Sequence, residues 1–144
     1  MNNPDITLAV KRLLLDNADI SRRVNRNIFV NRMHQGAPPK SILLWVVTEI
    51  PFLGLDGAIG MDQATIQFDC YAKRQDEARE IAWYVWNVLD GYQGVSEQVH
   101  ILGATRASGI RDGSDRVRMG TDQYRFNANQ DMRFTYRSCQ KVQT

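Results

Sequence analysis

Residues 64–90, ATIQFDCYAKRQDEAREIAWYVWNVLD, are the stretch that decides the fold. Over residues 64–72, small or apolar side chains alternate with more polar ones, and the apolar set is Ala64, Ile66, Phe68, Cys70 and Ala72. This alternation predicts a β-strand buried on one face. A helix is predicted from about Asp76 to Asp90, because acidic residues suit a helix N-terminus and Gly91 can adopt the left-handed conformation of a C-cap.

The residues before this stretch predict two helical segments and two strands. Asn3 and Pro4 predict an N-cap and the first position of an amphipathic helix that runs to about Asp16. A short turn capped by Asp19 follows, then strands at 28–30 and 42–47, the second buried on both faces. Residues 33–39 and 51–60 are predicted loops, because paired prolines interrupt the first and three glycines the second.

The residues after the stretch predict two more strands, at 99–105 and 124–136, with a long loop at 109–120 between them. The last strand would place these apolar side chains on one face: Tyr124, Phe126, Ala128, Met132, Phe134 and Tyr136. The order α-β-β-β-α-β-β predicts one α+β domain over residues 1–144. Its mostly antiparallel β-sheet would carry two main helices packed on one face.

The composition is that of an ordinary globular domain, with 43% apolar and 24% charged residues. No run of about 18 apolar residues occurs, so the sequence predicts no membrane helix and no membrane partner. The N-terminus lacks a basic segment followed by an apolar core, which predicts assembly in a cytoplasm. Cys70 and Cys139 are expected to be reduced there, although the sequence leaves a disulfide between them open.

The sequence predicts no enzyme, no cofactor and no metal site. The two histidines, His34 and His100, lack ligand-type neighbours at helical spacing. No nucleophile elbow, phosphate-binding glycine loop or HExxH motif is present. Cys70 lies on the apolar face of its strand, as a core residue would. Residues 111–115, RDGSD, lack the glutamate that closes a calcium loop, and Asp-Gly is equally the signature of a tight turn.

Charge is unevenly distributed along a chain whose net charge is +2. Residues 1–34 carry +3, residues 35–105 carry −5 and residues 106–144 carry +4. Such asymmetry can orient partners in an assembly, and scatter over a solvated surface is the alternative that the sequence leaves open. We expect Arg111, Arg116 and Arg118 to face a protein neighbour rather than DNA, because aspartates lie among them and no aromatic stacking set accompanies them.

The predicted helix at 76–90 has more apolar surface than a single core needs. Its core stripe consists of Ala78, Ile81, Ala82, Val85 and Leu89. Trp86 flanks the stripe, whereas Trp83 and Tyr84 fall outside it, on nearly opposite sides of the back of the helix. In a small domain this predicts self-association, unless loops of the same chain cover the aromatic rings. Phe52, Leu53 and Leu55 are further interface candidates, because they are unusually apolar for a predicted loop.

Several short segments together carry a resemblance to a known family. They are 62–72 (DQATIQFDCYA), 77–82 (EAREIA) and 89–92 (LDGY), with QGAP at 35–38, YR at 124–125 and DMRF at 131–134. In combination they resemble the tail completion and tail terminator family of siphophages and prophages, over most of the chain. The arginine-rich loop, Trp83 and Trp86 depart from the family pattern, so partner surfaces cannot be transferred from it.

This resemblance implies a non-enzymatic virion protein that forms a ring, commonly a hexamer, on the head-proximal end of the tail tube. Such a ring would stop tube growth, contact the tail tube protein and offer a docking face to the head-closure or connector protein. DNA would pass through its lumen without specific binding. Two other classes stay open: a head-closure protein bound to the portal, and a small-molecule-binding α+β module with a deep apolar pocket.

Overall fold

The computed structural model describes residues 5–33, 37–55, 57–113, 117–118 and 124–138, which form an α+β fold as predicted. The helices are α1 (Ile6–Leu15), α2 (Ala18–Val24) and α3 (Gln75–Leu89). The strands are β1 (Ile28–Val30), β2 (Ser41–Gly54), β3 (Gly57–Ala72), β4 (Gly94–Ser96), β5 (Val99–Arg106), β6 (Arg111–Asp112), β7 (Val117–Arg118) and β8 (Tyr124–Ser138).

The strands form one mostly antiparallel sheet in the order β1-β2-β3-β8-β5-β4, with β6 and β7 also paired to β8. The exception is β1, which pairs with β2 in parallel. The centre is the β3–β8 pair, in which Ile66 lies opposite Met132 and Ala64 opposite Phe134. These four side chains are buried, as the alternation in both strands predicted.

The helices cover one face of this sheet and enclose the core. The stripe predicted on α3 is buried as a set: Ala78, Ile81, Ala82, Val85 and Leu89. It packs on β3 and β8, where the rings of Phe68 and Phe134 lie 6.4 Å apart. Gln130 is buried among them and donates its amide N–H to the carbonyl of Ala82 at 2.5 Å, which ties α3 to β8.

The predicted starts of the first two helices are wrong by two residues. The N-cap of α1 is Asp5, whose carboxylate accepts the backbone N–H of Thr7 at 2.9 Å, while Asn3 and Pro4 lie outside the described residues. The N-cap of α2 is Asn17 rather than Asp19, and its side chain accepts two backbone N–H groups. At each of these helix starts two Asx residues lie two positions apart, and either type can cap a helix, so sequence alone does not choose between them.

The predicted loop at 51–60 is wrong, because β2 and β3 continue through it as a hairpin. Gly54 pairs with Gly57 across the turn, and Gly60 has a φ of +80° beside a register shift in the pairing. The glycines therefore belong to a tight turn and a bulge, two features that place glycine inside a hairpin. The predicted strand at 42–47 is correspondingly the first half of a longer strand.

The predicted loop at 109–120 is also wrong in part. β6 and β7 pair with the N-terminal half of β8, which extends beyond the end of β5 and offers a free edge there. β4 was not predicted, and its three residues pair with the start of β5. The left-handed conformation predicted for Gly91 is confirmed by its φ of +78°.

Candidate functional site

Among the described residues, the most exposed apolar surface is the far end of the β2–β3 hairpin, residues 47–55 and 57–60, which we call the arm. β1 pairs with β2 only as far as Leu44, and the pairing of β3 with β8 begins at Met61. The arm therefore extends past its neighbours among the described strands. Its exposed apolar side chains include three candidates from the sequence, and the set is Val47, Ile50, Phe52, Leu53 and Leu55. Leu53 is 71% exposed and Leu55 fully exposed, so the core does not explain them.

An acidic group, Asp5, Glu49 and Asp62, lies at the base of the arm. Glu49 is opposite Ala64, Asp62 is opposite Pro51, and the hydroxyl of Tyr136 donates to the Glu49 carboxylate. Burial raises the pKa of Glu49, and the neighbouring charges of Asp62 and Asp5 raise it further. Within the described residues, no cation forms an ion pair with any of the three.

A second apolar surface is formed by the aromatic residues of α3. The Trp83 ring is edge-on to both its neighbours, with centroids 5.0 Å from Tyr84 and 6.5 Å from Trp86. Arg23 stacks on Tyr84 at 3.7 Å, and Arg106 stacks on Trp86 at 4.3 Å. Two of the rings are thus partly covered by arginines of the same chain, whereas Trp83 remains 44% exposed.

Trp83 and Tyr84, which the sequence predicts on nearly opposite sides of the back of α3, contact each other through their rings. Consecutive residues are about 100° apart on a helix, and two large rings span that angle by leaning toward each other. The contact joins the aromatic residues into one patch. Because Trp83 is the exposed member, it is the strongest interface candidate of the three.

A cleft of 460 Å³ opens beside this patch, between the end of α2, the start of β2 and the start of α3. It is lined by Arg23, Asn25, Asn27, Pro38, Pro39, Lys40, Lys73 and Glu77. Arg23 pairs with Glu80 at 2.9 Å and Lys40 with Glu77 at 3.7 Å. Lys73 has no carboxylate partner in the part of the chain that the structure describes, which leaves the cleft basic; we call it the basic cleft.

Arg111 lies on the helix-free face of the sheet, within a polar network of its own chain. Its guanidinium donates to Asn129 at 2.7 Å and pairs with Asp131 at 3.2 Å. The next residue, Asp112, pairs with Arg79 of α3 at 2.7 Å. These contacts hold β6 to both β8 and α3, so Arg111 already has partners within the subunit.

Asp69 is the buried carboxylate beside this network. Gln67 donates an amide N–H to it at 3.1 Å. Burial raises its pKa, and hydrogen bonds from Gln67, Asn127 and Tyr71, together with the charge of Arg111, lower it by less. This arrangement has a structural role, because the hydrogen bonds orient strand side chains and leave Asp69 only 7% exposed.

Some of the remaining candidate residues from the sequence have a described position, and others lie outside the described residues. Cys70 is buried, as predicted for a core residue, and burial raises the pKa of its thiol well above the usual value. His100 accepts a hydrogen bond from Arg137 at 3.3 Å. Arg116, His34 and Cys139 lie outside the described residues, as does the side chain of Arg118. Among the residues described, no group of histidine, cysteine and carboxylate side chains could hold a metal, and no helix could cross a membrane.

Comparison with known proteins gives a likeness in fold. No protein-family model matches the sequence, and no curated protein matches it significantly. Among solved structures, a chain from the virion of a native gene transfer agent particle is similar, with a TM-score of 0.65 and 12% sequence identity. The match covers 90% of this chain and 92% of that chain. It shows that the α+β fold is shared over nearly the whole length.

Sequence reasoning missed the acidic base of the arm and the basic cleft. Both sets are assembled from residues far apart in the chain, such as Asp5 with Glu49, and Arg23 with Lys73. Only the pairing of β2 with β3 reveals that Glu49 and Asp62 share one end of the hairpin and that Lys40 and Lys73 share the other. The arm itself was signalled in the sequence by Phe52, Leu53 and Leu55.

Proposed function

We propose that this chain is a structural protein of a tailed-phage-like virion, located at the head-tail junction. In this proposal a hexameric ring of the chain caps the head-proximal end of the tail tube and ends tube growth. The ring contacts the tail tube protein on one side and the head-closure or connector protein on the other. It has no catalytic role and no cofactor, and DNA passes through it without specific binding.

The observation that carries the proposal is apolar surface that the subunit's own core does not use. The arm exposes Ile50, Leu53 and Leu55, and α3 exposes Trp83, on a domain whose core stripes are already buried. Apolar groups exposed together in this way are typical of subunits that are completed by partners. The fold shared with a chain of a gene transfer agent virion, and the resemblance of segments such as 62–72 to tail terminator proteins, support a place in such a particle.

The arginines 111, 116 and 118 are assigned to protein contacts in this proposal. A lumen that lets DNA pass should not hold it, because each lysine or arginine placed on a phosphate adds salt-dependent affinity. The guanidinium of Arg111 already donates to Asn129 and pairs with Asp131 within the subunit, which makes it less available to a DNA phosphate.

The test is assembly and binding of the purified chain. Native mass spectrometry and electron microscopy should show a closed ring, and the ring should cosediment with purified tail tubes. Chain that stays monomeric at high concentration and does not bind tubes would rule the proposal out.

The second candidate is a head-closure protein bound to the portal, which the virion fold match supports equally. Binding to purified portals but not to tail tubes would favour it. A small-molecule-binding module gains no support from the 460 Å³ cleft, because charged and amide side chains line it rather than a deep apolar wall.

A further inference from the structure

We propose that the arm of one subunit docks on the basic cleft and the adjoining Trp83 of a second copy of this chain. The inference rests on the proposed ring for its biological role, and it names the surfaces that would join neighbouring subunits.

The arm's base and the basic cleft carry opposite charges. The arm's base carries Asp5, Glu49 and Asp62, and none of them has an ion-pair partner among the described residues. Burial raises the pKa of Glu49, and the charges of Asp62 and Asp5 raise it further, so these neighbours disfavour its ionised form in the free subunit. Lys73 lines the cleft, and Arg26 lies in the sequence between the cleft residues Asn25 and Asn27; neither has a carboxylate partner in the described part of the chain. Contact between the two surfaces would neutralise the negative charge of the one and the positive charge of the other.

The arm and the surface beside the basic cleft also both expose apolar side chains. The side chains that project from the arm beyond its acidic base include Phe52, Leu53 and Leu55. On the receiving side Trp83 lies next to the cleft, because Arg23 lines the cleft and stacks on Tyr84, which touches Trp83. Each surface thus has a charged part and an apolar part side by side.

The two surfaces cannot meet within one subunit. Lys40 and Lys73 lie at one end of the β2–β3 hairpin, and Glu49 and Asp62 lie toward the other. The nine residue-to-residue steps from Lys40 to Glu49 span about 30 Å of extended strand. When each subunit inserts its arm into the next subunit in one direction, the contact is heterologous, and repeated contacts of this kind generate a ring when the rotation closes.

The arm would bind through its side chains rather than as an added strand. Pro51 has no N–H to donate, and the β2–β3 register shifts at Val47 and Phe52. A proline and bulges in an edge strand prevent regular pairing with another strand. The exposed side chains of the arm would therefore make the contacts with a partner.

Charge reversal on each surface is the first test. An arm variant carries Glu49→Lys and Asp62→Lys, and a cleft variant carries Arg26→Glu and Lys73→Glu. Each should raise the dissociation constant for self-association, measured by analytical ultracentrifugation, at least about tenfold, because like charges would face each other. The matched control for the arm variant is Asp16→Lys with Asp90→Lys, which changes net charge equally at exposed positions elsewhere and should associate like wild type.

Mixing the arm variant with the cleft variant distinguishes a lost contact from misfolding. In an equimolar mixture, the acidic arm of the cleft variant meets the basic cleft of the arm variant, and the reversed pair is also complementary. Association should therefore return in the mixture, with the two variants alternating in mixed oligomers seen by native mass spectrometry. Leu53→Ser with Leu55→Ser removes apolar arm surface without touching the core, and should weaken association by itself.

Several outcomes would overturn the inference. Arm or cleft variants that associate as tightly as the control, or a mixture that stays dissociated, would exclude this contact. A wild-type chain that is monomeric, but whose tube binding is lost in the arm variant, would assign the arm to the tube protein instead. In these cases wild-type binding to tail tubes would still support the proposed function, which fails separately if that binding is absent.

Discussion

Replacing Trp83 by alanine should separate its contribution to assembly from its contribution to the fold. Complete burial of a tryptophan makes its truncation cost about 3–5 kcal/mol. Trp83 is 44% exposed, and its ring contacts with Tyr84 and Trp86 are edge-on. We therefore expect the monomer to lose about 2 kcal/mol, a part of the roughly 5–15 kcal/mol by which domains are stable.

The assay compares Trp83→Ala with Ile81→Ala on the same helix. Ile81 is only 2% exposed and faces the core, so its truncation should cost about 2–5 kcal/mol in urea unfolding at concentrations where the chain is monomeric. Trp83→Ala should keep the wild-type circular dichroism spectrum yet weaken self-association in ultracentrifugation, and Ile81→Ala should show the larger loss of stability. A loss of about 3–5 kcal/mol for Trp83→Ala in the monomer would place the ring in the core and refute the reasoning.

Four further changes have defined outcomes. Burial raises the pKa of Asp69, so its ionised form destabilises the fold, and the wild-type unfolding free energy should gain from protonation of Asp69 as pH falls toward the usual value of 3.8; Asp69→Asn should remove this pH-dependent gain in urea unfolding. Gln130→Met should change the unfolding free energy in urea by under about 1.5 kcal/mol, because it replaces a buried amide whose oxygen has no partner among the described residues. Gln130→Glu should be strongly destabilising. Neutralising Arg116 and Arg118 together should impair ring formation or docking and leave weak DNA binding unchanged; tight duplex binding by wild type that the double variant loses would identify a DNA surface instead. Limited proteolysis should cut the arm in free subunits and spare it in rings, and equal cleavage in both would argue against its burial on assembly.

The sequence predicts the core of this fold well, because periodicity depends directly on burial. The alternation from Ala64 to Ala72 and the stripe from Ala78 to Leu89 each identified the buried face correctly. The predictions from sequence fail where a glycine or an Asx residue is compatible with two different local structures. Gly54 and Gly57 mark a hairpin turn rather than a loop, and Asp5 rather than Asn3 caps α1. Strand pairing and hydrogen-bond partners determine the structure at these positions, and a single sequence does not reveal those partners.

The candidate site was predicted only in its apolar part. Leu53, Leu55 and Trp83 were identified because large apolar residues outside a core stripe are visible in the sequence. Their relation to one another was not, since the contact of Trp83 with Tyr84, and of Tyr84 with Arg23, depends on side-chain directions around α3. Arg111 was identified by its charge alone, and the structure adds that its guanidinium is held by Asn129 and Asp131.

Charge along the chain and charge on the surface differ here for a physical reason. Residues 35–105 sum to −5, which taken alone describes an acidic segment. The antiparallel pairing of β2 with β3 divides that segment by position along the strands: Lys40 and Lys73 come together at one end, and Glu49 and Asp62 toward the other. A block that is acidic in sequence thus supplies both an acidic and a basic surface about 30 Å apart. A hairpin with opposite charges at its two ends is suited to bind a copy of itself, and that suitability follows from strand register rather than from net charge.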